Sequence, residues 1–227
     1  MSAIPVKACV FDAYGTLFDF ASAAAGCSDV LGDKAGQLTA LWRDKQLQYT
    51  WLRGMQGLHA DFWQVTGDAL DWSLETLGLS DPALRQRLMS LYLELSTFPE
   101  VPTVLAELKA KGFRTAILSN GSPSMLASAV EKAGIGPLLD HVVSVEEVGV
   151  FKPARAVYQR CLDVMGVSAA EVAFQSSNSW DAWAASAFGM RVFWCNRYGQ
   201  RPERLPGRPD AVMRSLAELP ALVRLAP

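Results

Sequence analysis

The chain is short of the residues that usually bind metals. Its only histidines are His59 and His141, and its four cysteines (Cys9, Cys27, Cys161 and Cys195) contain no CxxC pair. Zinc ligation needs several such ligands at close spacing, so the histidines and cysteines form no metal-binding pattern. The two histidines have no Ser or Cys partner arrangement and receive no role. Cys9 and Cys195 sit in apolar runs and read as small core residues, which points to a reducing, cytoplasmic compartment. Charge of one sign is also scarce. There are 21 basic and 23 acidic residues, for a net charge of −2 with no long block, which removes the electrostatic footprint of a nucleic-acid binder. No apolar run approaches the ~20 residues needed to span a bilayer. The opening MSAIPVKACVF lacks a small-residue cleavage site and reads as a first strand rather than a signal peptide.

What is present is a well-packed composition: of 227 residues, 50% are hydrophobic and 19% charged, unlike a disordered chain. Short apolar runs alternate with helical stretches. VKACVF is followed by a turn, FRTAILSN by SPSMLASAVEKA, HVVSV by PARAVYQRCLDVM, and EVAFQSS by SWDAWAASAF; RVFWCN and a last helix near SLAELPALVRL complete the series. Buried runs of this kind, separated by ten-residue helices, predict a parallel sheet covered on both faces. Ser122-Pro123 and Lys152-Pro153 mark helix starts. Between Phe20 and about Phe98 the pattern becomes purely helical, with Leu38, Leu41, Trp42 and Tyr49 on one stripe and Asp81-Pro82 at a helix start. The expected architecture is α/β. A Rossmann-like doubly wound parallel-sheet core (1–19 plus 98–227) carries an inserted helical cap, or lid, subdomain (20–97).

In a parallel sheet every strand's carboxyl end faces one crevice, where ligands bind. The residues placed there are Asp12 to Thr16, Ser119-Asn120-Gly121, Lys152 and Ser176 to Asp181. Each has a plainer reading alone. Asp12 suits a turn cap, Ser119-Asn120-Gly121 a helix-entry loop, Lys152 a solvated loop, and Asp181 a first-turn acid favoured by the helix dipole. Arg43 suits a surface beside Asp44, and Tyr158 suits the core. Their recurrence at successive strand ends is the stronger fact.

FDAYGTLFD, LSNGS, VFKP and SSNSWD, in this order, resemble the four motifs of the haloacid dehalogenase superfamily, and LWRDKQLQYTWLR resembles the lid helix of its L-2-haloacid dehalogenase branch. The likeness covers nearly the whole chain. It implies a metal-independent, cofactor-free hydrolase that removes halide from short (S)-2-haloacids. Asp12 would be the nucleophile that forms an aspartyl ester. Arg43 would meet the departing halide with Asn120 beside it, and Ser119 and the backbone near Ala13 and Tyr14 would hold the substrate carboxylate. Lys152 would keep Asp12 ionised, and Asp181, Asn178 and Ser176 would orient or deprotonate the hydrolytic water. Thr16 would brace the turn, Tyr158 would support the lysine network, and Trp180 and Phe62 would wall the alkyl group.

The superfamily's commoner phosphatases carry a second Asp two residues after the nucleophile and acidic Mg²⁺ ligands in the last motif. This chain has Tyr14 and Ser176-Ser177-Asn178, which weakens a metal cage. A phosphatase or phosphonate hydrolase, or a non-enzymatic binding module on the same fold, stay as alternatives. Gln175 and Trp183 depart from the branch's pattern, and Trp183 is expected either to reshape the pocket wall or to make a helix contact. The lid tryptophans Trp42, Trp51, Trp63 and Trp72 read as packing, with Trp51 or Trp63 available for a subunit contact, and an apolar lid is compatible with a homodimer.

Overall fold

A computed structural model describes residues 3–226. The chain begins with strands β1 (Ile4–Val6) and β2 (Ala8–Phe11). Helices α1 (Ala21–Ala25), α2 (Ser28–Leu31), α3 (Ala35–Gln56), α4 (Phe62–Thr76) and α5 (Pro82–Tyr92) follow in direct succession. From α6 (Val101–Ala110) strands and helices alternate through β3 (Arg114–Ser119), α7 (Pro123–Lys132), β4 (His141–Ser144), α8 (Arg155–Met165), β5 (Val172–Ser176), α9 (Ser179–Phe188) and β6 (Arg191–Cys195). The last elements are β7 (Ala211–Met213), α10 (Leu219–Leu222) and β8 (Val223–Leu225).

Six strands form one parallel sheet in the order β4-β3-β2-β5-β6-β7. The chain steps outward from β2 through β3 to β4, then crosses back to β5 on the other flank. That reversal puts a topological switch point at the carboxyl ends of β2 and β5, where doubly wound sheets open a ligand crevice. Strands β2 and β5 are buried along their whole length, so their sequences read as continuous rather than alternating apolar runs.

Two helices of the all-helical segment begin at side-chain caps, one of them at the expected Asp81-Pro82. The Asp61 carboxylate accepts the Gln64 amide at the start of α4 (2.8 Å), and Asp81 accepts the Ala83 amide ahead of Pro82 in α5 (2.9 Å). These side-chain acceptors occupy amides the first helical turn leaves unpaired. Along α3, Leu38, Trp42, Gln46 and Thr50 make the buried face, at the four-residue spacing of one helix side.

Four expectations change. VKACVF is not one strand, because Lys7 turns to solvent to pair with Glu171 (2.7 Å) and breaks the run. The residues before it pair with β8 in a separate two-stranded ribbon. The terminal helix near SLAELPALVRL is a single turn: Pro220 is tolerated only at a helix start, and Val223–Leu225 finds β1 as a partner. Helix α8 starts at Arg155 rather than Pro153, with Ala154 extended before it. Strand β7, which follows the Pro-, Gly- and Arg-rich loop GQRPERLPGRPD (199–210), was not anticipated. Among the described residues no helix is long and apolar enough to cross a membrane.

Candidate active site

Asp12 follows β2 directly, its amide held by the Gln175 carbonyl of β5 (2.9 Å). The chain then reverses. The Ala13 carbonyl accepts the amides of Thr16, Leu17 and Phe18, and Gly15 adopts φ +85°, a left-handed conformation that glycine enters without steric cost. This turn carries the Thr16 hydroxyl back to within 3.1 Å of Asp12 Oδ2. The same hydroxyl accepts the Ser177 amide (2.8 Å), so the loop after β2 is tied to the loop after β5.

The two oxygens of Asp12 have different surroundings. Oδ2 accepts from Thr16 Oγ1 (3.1 Å), Ser176 Oγ (3.1 Å) and Asn178 Nδ2 (2.6 Å). Oδ1 accepts from Lys152 Nζ alone (3.1 Å). Lys152 in turn donates to Asp181 Oδ2 (2.7 Å), whose other oxygen accepts the Tyr158 hydroxyl (2.7 Å). Asp12 is 6% exposed, Lys152 1% and Asp181 fully buried. Charges this deep persist only when paired and hydrogen-bonded. Burial pulls the Lys152 pKa down, but the charges of Asp12 and Asp181 outweigh it and leave it raised. Burial pushes Asp181 up, with Asp12 adding to the rise and Lys152 opposing it. Burial also drives the Tyr158 hydroxyl well above the usual phenol range, with Asp181 adding to it, so Tyr158 acts as a neutral donor.

The helical segment contributes Arg43. Its Nη2 donates to Asn178 Oδ1 (3.1 Å), and the opposite end of that amide holds Asp12 and the Tyr14 carbonyl (3.0 Å). Asn178 therefore joins a guanidinium on α3 to the carboxylate at the sheet's edge. Asn120 Oδ1 accepts the Lys152 amide (3.0 Å), and Ser119 Oγ accepts the Gly121 amide (3.0 Å), leaving the serine proton free to donate. A side chain at Gly121 would meet Tyr14 within 3.0 Å, so this loop and the tyrosine pack without room between them.

The two residues proposed as an apolar wall lie in different clusters. The Phe62 ring packs near Tyr14 (5.7 Å between centroids) and Tyr14 near Tyr92 (5.4 Å). Trp180 instead meets Trp51 edge-on (5.4 Å) beside an apolar cleft of about 710 Å³ that also touches Phe151 and Lys152. Trp183 makes a helix contact, standing edge-on to Trp194 of β6 (5.1 Å) in the core. Gln175 is fully buried, and neither end of its side-chain amide has a partner. Reasoning from sequence missed Gln46, which accepts from Arg43, and Thr66 and Tyr92, which bond to Gln46 in turn. It also gave His59 no role, although its Nε2 lies 2.8 Å from Glu146 Oε2 and ties the α3–α4 loop to the segment after β4. Among the described residues no three His, Cys, Asp or Glu side chains group as a metal site would require.

The fold and site together describe a doubly wound α/β protein in which one lysine bridges two buried aspartates at the switch point. A family model for haloacid dehalogenase-like hydrolases matches residues 6–189, and the chain belongs to that family. It is 43% identical to (S)-2-haloacid dehalogenase 1 of Pseudomonas sp. (strain CBS-3), over 96% of this chain and 97% of that protein. It superposes on the L-2-haloacid dehalogenase of Xanthobacter autotrophicus with chloropropionic acid covalently bound, with a TM-score of 0.90 at 38% identity, covering 96% and 98% of the two chains. A dehalogenase solved as an intermediate complex matches with a TM-score of 0.95 at 40% identity, covering 97% and 98%.

Proposed function

We propose that this protein is an (S)-2-haloacid dehalogenase, converting short 2-haloacids to (R)-2-hydroxyacids with release of halide. In this reading residues 20–97 form a cap subdomain over a catalytic core of 1–19 and 98–227. The observation that carries it is the asymmetry of Asp12. Oδ1, with one partner, keeps lone-pair capacity for attack, while Oδ2 is gripped by three donors.

Asp12 Oδ1 attacks C2 of the substrate in line with the carbon–halogen bond. The new C–O bond takes the place of the C–X bond, the pair of electrons leaves with halide, and configuration inverts. Holding nucleophile and carbon in line can lower the barrier by ~7–11 kcal/mol. Arg43, with Asn120 beside it, meets the developing halide charge. Ser119 and the backbone near Ala13 and Tyr14 hold the substrate carboxylate, while Phe62 from the Tyr14 cluster and Trp180 from the cleft beside Lys152 bound its alkyl group on separate sides. Once the ester forms, Oδ2 becomes its carbonyl oxygen. Thr16, Ser176 and Asn178 then face the atom that turns into an oxyanion when water attacks the Asp12 carbonyl carbon. Asp181, with Asn178 and Ser176, orients that water or takes its proton, and Tyr158 and Lys152 hold Asp181 in place. Collapse of the oxyanion breaks the bond between the Asp12 carbonyl carbon and Oδ1; the departing alkoxide takes up the proton removed from the water, which frees the hydroxyacid and restores the carboxylate with the water's oxygen in it.

Exposed Leu52, Met55 and Leu58 at the end of α3 and the loop after it support a homodimer through this apolar face. Four buried, unpaired cysteines support a cytoplasmic setting. The test is halide release from (S)-2-chloropropionate, with and without EDTA, by the wild type and Asp12→Asn. The expected result is release that ignores EDTA and vanishes in the variant. A wild type that releases no halide but cleaves a phosphate ester with Mg²⁺ would overturn the reading.

A further inference from the structure

Arg43 is the one cation that the helical segment brings to the candidate site, and a long side chain must be held to serve as a fixed charge. Gln46 lies almost one helical turn further along α3, on the neighbouring side of the helix, and is only 1% exposed. Its Oε1 accepts from Arg43 Nη1 (2.7 Å). Its Nε2 donates to Thr66 Oγ1 of α4 (2.7 Å) and lies 3.1 Å from the Tyr92 hydroxyl of α5.

The direction of this chain follows from counting protons. Thr66 has a single hydroxyl proton and donates it to the Phe62 carbonyl (2.6 Å), so toward Gln46 it can only accept. The NH2 end of the Gln46 amide must therefore face Thr66, which leaves its oxygen for the guanidinium. The far side of Arg43 is closed by the Phe20 ring, 5.2 Å from the guanidinium carbon, and Nη2 is taken by Asn178 (3.1 Å). We infer that Gln46 is a positioning residue, oriented by Thr66, that aims Arg43 at the leaving halide. The inference rests on the reading of Arg43 given above. It links the packing of three helices to the strength of one catalytic charge.

The experiment compares (S)-2-chloropropionate with (S)-2-bromopropionate in Gln46→Met, which keeps length and burial but loses both hydrogen-bonding ends. A hydrogen bond to a charged group is lost, so kcat on the chloro substrate falls by about ten- to a hundredfold, with KM little moved. Bromide leaves with less help, so its rate falls less and the bromide-to-chloride ratio widens. A merely structural role would lower both rates alike and leave the ratio where it was. Thr66→Val, which keeps shape but removes the orienting hydroxyl, widens the ratio in the same direction and supplies the reading if Gln46→Met does not fold. A folded variant of either kind with the wild-type ratio overturns the inference. Arg43→Lys separates the causes. If its ratio also stays put, the role of Arg43 in halide departure fails and the inference fails with it. Both are distinct from a wild type that releases no halide.

Discussion

The ammonium of Lys152 lies 3.1 Å from Asp12 Oδ1 and 2.7 Å from Asp181 Oδ2, so one buried cation serves two buried anions. Removing it leaves both carboxylates without a counterion in a site where water cannot replace it. Lys152→Met should abolish halide release and destabilise the fold at neutral pH by about 3–5 kcal/mol, the range for breaking a buried pair. Part of that loss should return on acidification. Burial already raises the Asp181 pKa, and without the lysine it rises further, so protonation relieves the repulsion early. Urea unfolding of the variant at pH 5 and pH 8 measures both effects. Equal destabilisation at the two values would contradict the account.

Lys152 also sets an alkaline limit. Its folded-state pKa is raised above 10.5 because the two carboxylates outweigh burial. The folded chain therefore holds this proton more tightly than the unfolded chain does. The stabilisation is complete below the unfolded value and is lost as pH rises through the folded one. Between pH 7 and 10 thermal unfolding should show no loss from this source, and above about pH 10.5 it should fall in the wild type. Lys152→Met should lack that alkaline step. Melting both proteins across pH 8 to 11.5 decides it.

The three donors on Asp12 Oδ2 predict a difference between the two chemical steps. During attack on the haloacid, Oδ2 loses charge, so its donors matter little. During hydrolysis of the ester it gains charge, so they matter most. Ser176→Ala should therefore slow ester hydrolysis by about 10²–10³-fold, the cost of one lost oxyanion donor, while ester formation slows less. Halide should appear as a burst of about one equivalent followed by a slow phase, and mass spectrometry of quenched enzyme should find a 1-carboxyethyl ester on Asp12. A slow rate with no burst and no adduct would assign Ser176 to the first step instead.

Much of this site was legible because a parallel sheet brings its strand ends to one edge. Once β2, β3 and β5 are recognised as buried apolar runs, Asp12, Ser119 and Ser176 must converge. The loop lysine Lys152 and the first-turn Asp181 come with them. Arg43 was reachable only through resemblance, since nothing in its helix shows that α3 crosses toward Asn178. The cluster behind it left a faint trace. Leu38, Trp42, Gln46 and Thr50 share the buried face of α3, and a glutamine within such a stripe must find buried partners. Those partners lie on α4 and α5, at sequence separations of 20 and 46 residues, which no local pattern encodes. The division of VKACVF was hidden for a similar reason, since Val6 and the residues before it pair with a strand at the other end of the chain.

Gln175 offers a test on the opposite face of the sheet. Successive residues of a strand point to opposite faces. Ser176 reaches Asp12, so the Gln175 side chain points away from it, in register with Phe11 of β2 and Phe193 of β6. It is fully buried, and neither its NH2 nor its oxygen is hydrogen-bonded. A buried amide without partners carries its desolvation cost uncompensated, and an apolar group of similar shape removes that cost. The backbone carbonyl that holds the Asp12 amide is unaffected by the exchange. Gln175→Leu should therefore raise the free energy of unfolding by about 1–3 kcal/mol while kcat and KM on (S)-2-chloropropionate stay within twofold of wild type. Chemical denaturation with parallel halide assays measures both. A loss of stability would mean that the amide is satisfied by a buried water, and the leucine would then have displaced it.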